Sequence, residues 1–179
     1  MAEFLWIFWS FSLLGWVLER LFAAVTRSPR RRRRCLLLLP LCPVYGLGMA
    51  AVLALPPSLR SGWPLYLWGG LTATSVEYIY HWWGETFLGV SFWDYTGVFG
   101  NFRGRVCLPF SLAWGLLLFP AVYLVTLPVV ALADRVPIGV TWWLLLAFTA
   151  DAVCSLRFLA VTHDLEALRA VIWPVSADR

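Results

Sequence analysis

No lysine occurs in the 179 residues; all 14 basic residues are arginine. That absence excludes the Walker A phosphate loop, which ends in Gly-Lys, and any Schiff-base lysine. A nucleotide-driven step would therefore need a partner chain. Charge of either sign is scarce, at 13% of residues against about 25% in an average soluble domain. The four cysteines, Cys35, Cys42, Cys107 and Cys154, form no CxxC pair, so neither a zinc site nor a disulfide framework is signalled. They read as packing residues. What is abundant is apolar: 61% hydrophobic residues, 17% of the chain aromatic. So little polar surface cannot clothe a water-soluble globule, and disorder, which requires low hydrophobicity, is excluded as well. An integral membrane protein remains.

Apolar runs of about 20 residues match what a helix needs to cross roughly 30 Å of hydrocarbon. Five such runs are present, at about 4–25, 36–55, 63–88, 106–133 and 140–161, followed by a tail at 162–179. The runs are continuous rather than alternating, and backbone in lipid must satisfy itself, so helices are expected rather than strands. The fold class expected is all-α, a polytopic bundle of about five transmembrane helices in one domain. The first run reads as a span rather than a cleaved signal: Glu3 stands where a basic region would be, and the run is too long.

Arginines set the orientation. Arg27 and Arg30 to Arg34 lie between the first two runs, Arg103 and Arg105 between the third and fourth, and Arg169 and Arg179 in the tail. The opposite side holds Arg60 and Arg135, with Arg20 and Arg157 inside or at the ends of spans. This bias predicts an outside N-terminus and a cytoplasmic C-terminus in the cell membrane. Five consecutive arginines also resemble a nucleic-acid footprint. Directly after a span, topology and anionic lipid headgroups account for them, and no nucleic-acid partner is expected.

Proline and glycine interrupt two runs. Pro40, Pro43, Gly46 and Gly48 fall in the second, and Pro109, Pro120 and Pro128 in the fourth. Proline removes a backbone donor, so kinked or unwound segments are expected there. Such backbone survives at membrane depth only where protein or a water-filled cavity covers it. A short internal repeat accompanies them: Glu19, an arginine-bearing loop, a cysteine and a broken run, then Glu77, an arginine-bearing loop, Cys107 and another broken run.

Ionisable groups within spans are costly and mark candidate sites. Glu19, Glu77, Glu85 and Asp151 qualify, and Asp94 sits in the aromatic loop Phe92-Trp93-Asp94-Tyr95. Glu77, His81 and Glu85 are four apart and share a helical face. That ribbon could hold a divalent metal or pass protons. The plainer alternative pairs Glu77 with Arg105 or Arg157 and leaves His81 and Glu85 in an interfacial belt. Asp151 and Arg157 are too far round their helix to meet, so each needs another partner. Arg20, Arg105 and Arg157 near Glu19, Glu85 and Asp94 suggest guanidinium–carboxylate pairs, either a lock between helices or the floor of an anion-recognising cavity. The loop from Val90 to Arg105 carries too many rings beside its charges for a slack connector and is expected to be ordered against the bundle's mouth.

Gly15-Trp16 with Glu19, Cys42-Pro43-Val44-Tyr45-Gly46, Val76-Glu77-Tyr78 with Glu85, Phe92-Trp93-Asp94-Tyr95, and the block from Gly104-Arg105 through Trp114-Gly115 resemble a bacterial membrane family, the ABC-transporter permeases of CmpB type. The likeness covers about residues 4–120. Glu19, Glu77, Glu85, Asp94, Arg105 and Cys107 fall on the family pattern, whereas His81 does not. The resemblance implies a multi-pass protein with a transport role. No ATPase motif and no permease coupling loop of the Glu-Ala-Ala type is present, so a homo-oligomer or a separate ATPase subunit is implied as partner, besides membrane lipids.

Three functions are open. The first is a permease-like component binding a solute within the bundle, with Glu19, Glu77, Glu85, Trp93, Asp94, Tyr95 and Arg105 as candidate binding residues. The second is a non-catalytic scaffold locked by its charges. The third is a lipid-modifying enzyme at the cytoplasmic face, although no catalytic pairing is recognisable. No catalytic residue, metal or cofactor is expected.

Overall fold

A computed structural model describes residues 2–26 and 35–170. The arginine run within 27–34, the Arg169 side chain and the tail beyond residue 170 lie outside the described residues. Within them the chain is an all-α bundle of six helices and one small hairpin. Helix α1 is Ala2–Thr26, with Glu3 in its first turn, where the helix dipole favours an anion. Helix α2 is Pro43–Leu53. Helix α3 runs over residues 62–88 as Gly62–Pro64, a wider π-wound turn Leu65–Gly69, α-helical Gly70–Trp83 and a second π-wound turn Gly84–Leu88. Strands β1 (Asn101–Phe102) and β2 (Val106–Cys107) pair antiparallel, Asn101 opposite Cys107. Helix α4 is Leu108–Ala133, α5 is Ile138–Thr162 and α6 is Leu165–Ala170.

The surface is heavily apolar, and charge is found inside. Leu124 is 70% and Trp143 73% exposed, while Glu77 is 2% and His81 1% exposed. A water-soluble domain does the reverse. Lipid is the solvent such a surface requires. Helices α1, α4 and α5 are long and apolar enough to cross a membrane. α3 is long enough in residues but carries Glu77, His81 and Glu85.

Within the second expected span, 36–55, the helix covers only Pro43–Leu53, eleven residues that rise about 16 Å, short of a crossing by themselves; the expected unwound stretch precedes it. Pro40 and Pro43 lack the N–H groups that a helix through this stretch would use. Residues 35–42 run without regular structure, and α5 covers them. The Asp151 carboxylate accepts the backbone N–H of Leu38 (3.1 Å) and of Leu39 (2.9 Å) and the Ser155 hydroxyl (3.0 Å). Leu38 and Leu39 are the partners that Asp151 finds outside its own helix. In α4 the π-wound turn Ala121–Val125 follows Pro120, and the Thr126 hydroxyl donates to the Ala121 carbonyl at 2.9 Å.

Helices α1 to α4 pack in a ring, α1 on α2, α2 on α3, α3 on α4, and α4 back on α1. Close crossings depend on glycine. A Cβ on Gly15 would lie 2.2 Å from the Tyr45 ring, and one on Gly70 3.2 Å from the Gly115 Cα. The main packed core lies at one end, where Phe92, Trp93 and Tyr95 from the loop meet Leu36, Leu37, Leu159 and Leu165. The expected order of the 90–105 loop is therefore observed, fastened by buried rings. A smaller core of Phe11, Met49, Val52, Leu65 and Leu118 closes the ring elsewhere.

Candidate functional site

The Glu77–His81–Glu85 ribbon does line one face of α3, and the structure divides it. Glu77 lies inside the ring. Its Oε2 accepts the Trp114 indole N–H at 2.8 Å, and its Oε1 accepts the Tyr95 hydroxyl at 3.3 Å. Buried Trp and Tyr need an acceptor for their polar tips, and a carboxylate supplies the strongest one. Two turns on, Glu85 is about one-third exposed and meets Arg105 Nε at 2.7 Å. Arg105 Nη1 also donates to the Tyr78 hydroxyl at 2.8 Å, with the guanidinium over the Tyr78 ring. The expected Glu77–Arg105 pairing is thus replaced: neutral donors meet Glu77, and Arg105 turns to Glu85. The hydrogen bond that Arg105 donates to Glu85 raises the guanidinium pKa beyond its already high ordinary value.

His81 sits between the two carboxylates, its ring edge against Trp93 at 4.7 Å. Its Nε2 lies 3.1 Å from Glu85 Oε1 and 3.1 Å from Ser91 Oγ, and Ser91 Oγ is 3.2 Å from Glu85. Serine, histidine and glutamate so gathered invite a nucleophile reading. The geometry is wrong for a relay, because hydroxyl and carboxylate converge on the same nitrogen. A relay needs the acid on one ring nitrogen and the nucleophile on the other. Among the described residues no three His, Cys, Asp or Glu side chains are grouped to hold a metal.

The loop residues take supporting positions. The Trp93 indole N–H donates to the Arg105 carbonyl at 2.7 Å, and the Gly104 carbonyl accepts the Tyr95 N–H at 2.8 Å. Together they hold the hairpin against the loop segment that carries Trp93 and Tyr95. Gly104 has φ 68° and Arg103 φ 54°, the left-handed region that turns the chain between the strands. Asp94 faces outward, where its carboxylate accepts the Thr96 N–H at 2.8 Å. The Thr96 hydroxyl and N–H together hold the Asp94 carboxyl below the ordinary carboxylate range. Of the expected guanidinium–carboxylate pairs, Arg105–Glu85 is formed, Arg20 lies over the Trp16 ring at 5.5 Å, and Arg157 is exposed.

Glu19 accepts a hydrogen bond from the Tyr45 hydroxyl. The internal repeat becomes physical here. In each half a glutamate of the first helix, Glu19 on α1 or Glu77 on α3, accepts from an aromatic side chain of the second, Tyr45 on α2 or Trp114 on α4. Tyr45 and Trp114 then meet edge to face, centroids 5.1 Å apart. Between α1, α2, α3 and α4 lies a cavity of about 370 Å³, with Glu77 and Trp114 in its wall. A second of about 190 Å³ adjoins it, lined by Glu19, Tyr45, Tyr95 and Trp114. Sequence reasoning assigned no role to Tyr45, Trp114, Tyr78 or Ser91. Tyr45 and Trp114 stood inside the motifs, and the signal that could have found them is that an indole or phenol within a span must aim its polar atom at an acceptor.

Neither the curated proteins nor the solved structures hold a significant match to the chain. A family model matches residues 6–156, so the likeness carried by residues 4–120 extends into α5. The chain belongs to the family described as Putative ABC-transporter type IV.

Proposed function

We propose that the chain is the membrane-embedded, permease-like component of a transporter, binding a solute inside the α1–α4 ring beside Glu77. One observation carries this reading. A buried carboxylate stands in the wall of an apolar cavity, on a helix whose winding is interrupted on both sides of it. Interrupted helices around a charged group are how membrane transporters build solute sites. In this reading the chain performs no covalent chemistry. The sequence has no lysine for a phosphate loop, so an ATP-driven step in this reading falls to a separate ATPase subunit. Glu19, Tyr95 and Trp114 complete the site, while Trp93, Asp94, Glu85 and Arg105 shape its mouth. The arginine bias sets the chain in the cell membrane with its N-terminus outside and its C-terminus in the cytoplasm.

The test is flux. Purified protein in vesicles, with and without candidate ATPase subunits, is assayed for solute uptake. Glu77→Gln is expected to abolish the flux that wild type supports. If Glu77→Gln and Arg105→Ala match wild type in every flux tested, the reading fails. Orientation is tested by placing single cysteines at Ser28 and Ser61 in a cysteine-free background. Impermeant reagent added to intact cells should label position 61 and spare position 28.

A second reading has its own observation. Arg105, Glu85, Tyr78 and His81 bond to one another, joining α3 to the hairpin that leads into α4. That is a lock of the kind a scaffold needs. It predicts loss of protein level, rather than of flux alone, when Arg105 is replaced.

A further inference from the structure

The two chambers share a chemistry that narrows the solute. Among the lining residues of the larger cavity, Glu77 is the one charged side chain; Phe11, Leu14, Val17, Met49 and Leu118 are typical of the rest. Among those of the smaller one, Glu19 is the one charged side chain. Both charges are negative, and both adjoin the Tyr45–Trp114 ring pair. The larger volume, about 370 Å³, falls within the range of small-molecule sites. Its wall includes Gly48, which is buried although a Cβ built there would meet nothing within 4 Å. A missing side chain thus keeps space open.

We propose that this cavity takes an amphipathic organic cation, a substituted ammonium head carrying an aliphatic arm. The arm lies along the apolar wall, and the head sits by Glu77 against the Tyr45 and Trp114 rings. An anion would face two carboxylates at low dielectric, where like charges repel strongly. A neutral apolar solute would gain nothing from Glu77. Each Glu77 oxygen already accepts a hydrogen bond, from Tyr95 or Trp114. A head beside Glu77 therefore shares the carboxylate with two fixed donors and meets the Tyr45 and Trp114 rings on its other sides, surroundings that suit an alkylated cation better than a strongly hydrated one. Aromatic faces and a carboxylate together recognise such heads, as weakly hydrated cations bind the negative face of a ring.

This inference names the solute class for the transport reading and rests on it for meaning, but binding is measured separately. The full chain is held in a non-ionic maltoside detergent, which carries no ammonium group, and titrated calorimetrically with decyltrimethylammonium. The comparators are its isostere with carbon in place of nitrogen, and decyl sulfate. The cation should bind saturably at one site, about tenfold tighter than the isostere, and decyl sulfate more weakly still. Glu77→Gln should erase the preference for the cation. Gly48→Phe should abolish binding of the cation while the protein stays monodisperse, because the ring enters open space. Equal binding of all three probes, or a preference that survives Glu77→Gln, would show a slot for acyl chains and overturn the proposal. So would undiminished binding to Gly48→Phe. Bound cation with no cation flux in vesicles sinks the transport reading and leaves the site standing. Glu77-dependent flux of another solute without cation binding does the converse.

Discussion

Glu77 and Glu85 lie two turns apart on one helix and live in different solvents. Glu77, almost wholly buried, takes its hydrogen bonds from the Trp114 indole and the Tyr95 phenol, 2.8 and 3.3 Å away. Glu85, one-third exposed, pairs with Arg105 at 2.7 Å and His81 at 3.1 Å. Desolvating a guanidinium costs several kcal/mol, so an ion pair forms most easily where water still reaches it. An aromatic N–H or O–H brings a donor into the interior on an apolar body, without that cost. Depth, rather than residue type, decides which partner each carboxylate has. It also separates their roles: the outer pair fastens, and the inner group faces a cavity.

The contrast breaks most sharply at Glu77. Glu77→Ala removes the acceptor of two interior donors and should lower stability by about 2–4 kcal/mol. Thermal unfolding in detergent should show this loss unchanged between low and high salt. Trp114→Phe keeps the ring and deletes one donor, and about 1–2 kcal/mol should go by the same measurement. Arg105→Ala should cost less than either, because water reaches the pair through Glu85 and solvated pairs contribute little. Its effect should shrink toward 1 M salt, where the screening length falls to about 3 Å. A loss at Arg105 that matched Glu77→Ala and ignored salt would erase the distinction between the two sites.

The smallest effect concerns Asp94. Its carboxyl is held below the ordinary range by Thr96, so the folded pKa is lower than the unfolded one. A depressed carboxylate contributes stability above the unfolded value, near about 3.9, and loses it as pH falls through the folded value. Amide exchange at Thr96, corrected for intrinsic rates, should therefore stay slow from pH 7 to about 4 and quicken in stronger acid. Asp94→Ala should quicken it throughout, with the Glu77 site unaltered.

Hydropathy alone revealed α1, α4 and α5, because a lipid-facing helix writes its solvent directly into its composition. The run at 36–55 looked the same, yet only Pro43–Leu53 is helical. Hydropathy weighs side chains and is blind to the donors that Pro40 and Pro43 lack. The prolines did flag an unwound stretch needing cover, but not that Asp151, over a hundred residues away, supplies it. Glu77 was legible as costly and therefore purposeful. Its partners were not, since Tyr95 and Trp114 reach it only through tertiary packing, and helical spacing had grouped it with His81 and Glu85 instead.

The distance between Asp151 and the amides it holds has a consequence for how the protein is made. Leu38 and Leu39 emerge from the ribosome 113 and 112 residues ahead of their acceptor. At five to twenty residues per second, that gap lasts on the order of ten seconds. Until the last long helix arrives, those N–H groups must borrow water, headgroups or an insertion factor, since bare backbone is not tolerated in hydrocarbon. Biogenesis of the first half thus waits on the second, and a nascent chain halted before residue 151 presents quality-control proteases with an unfinished seam.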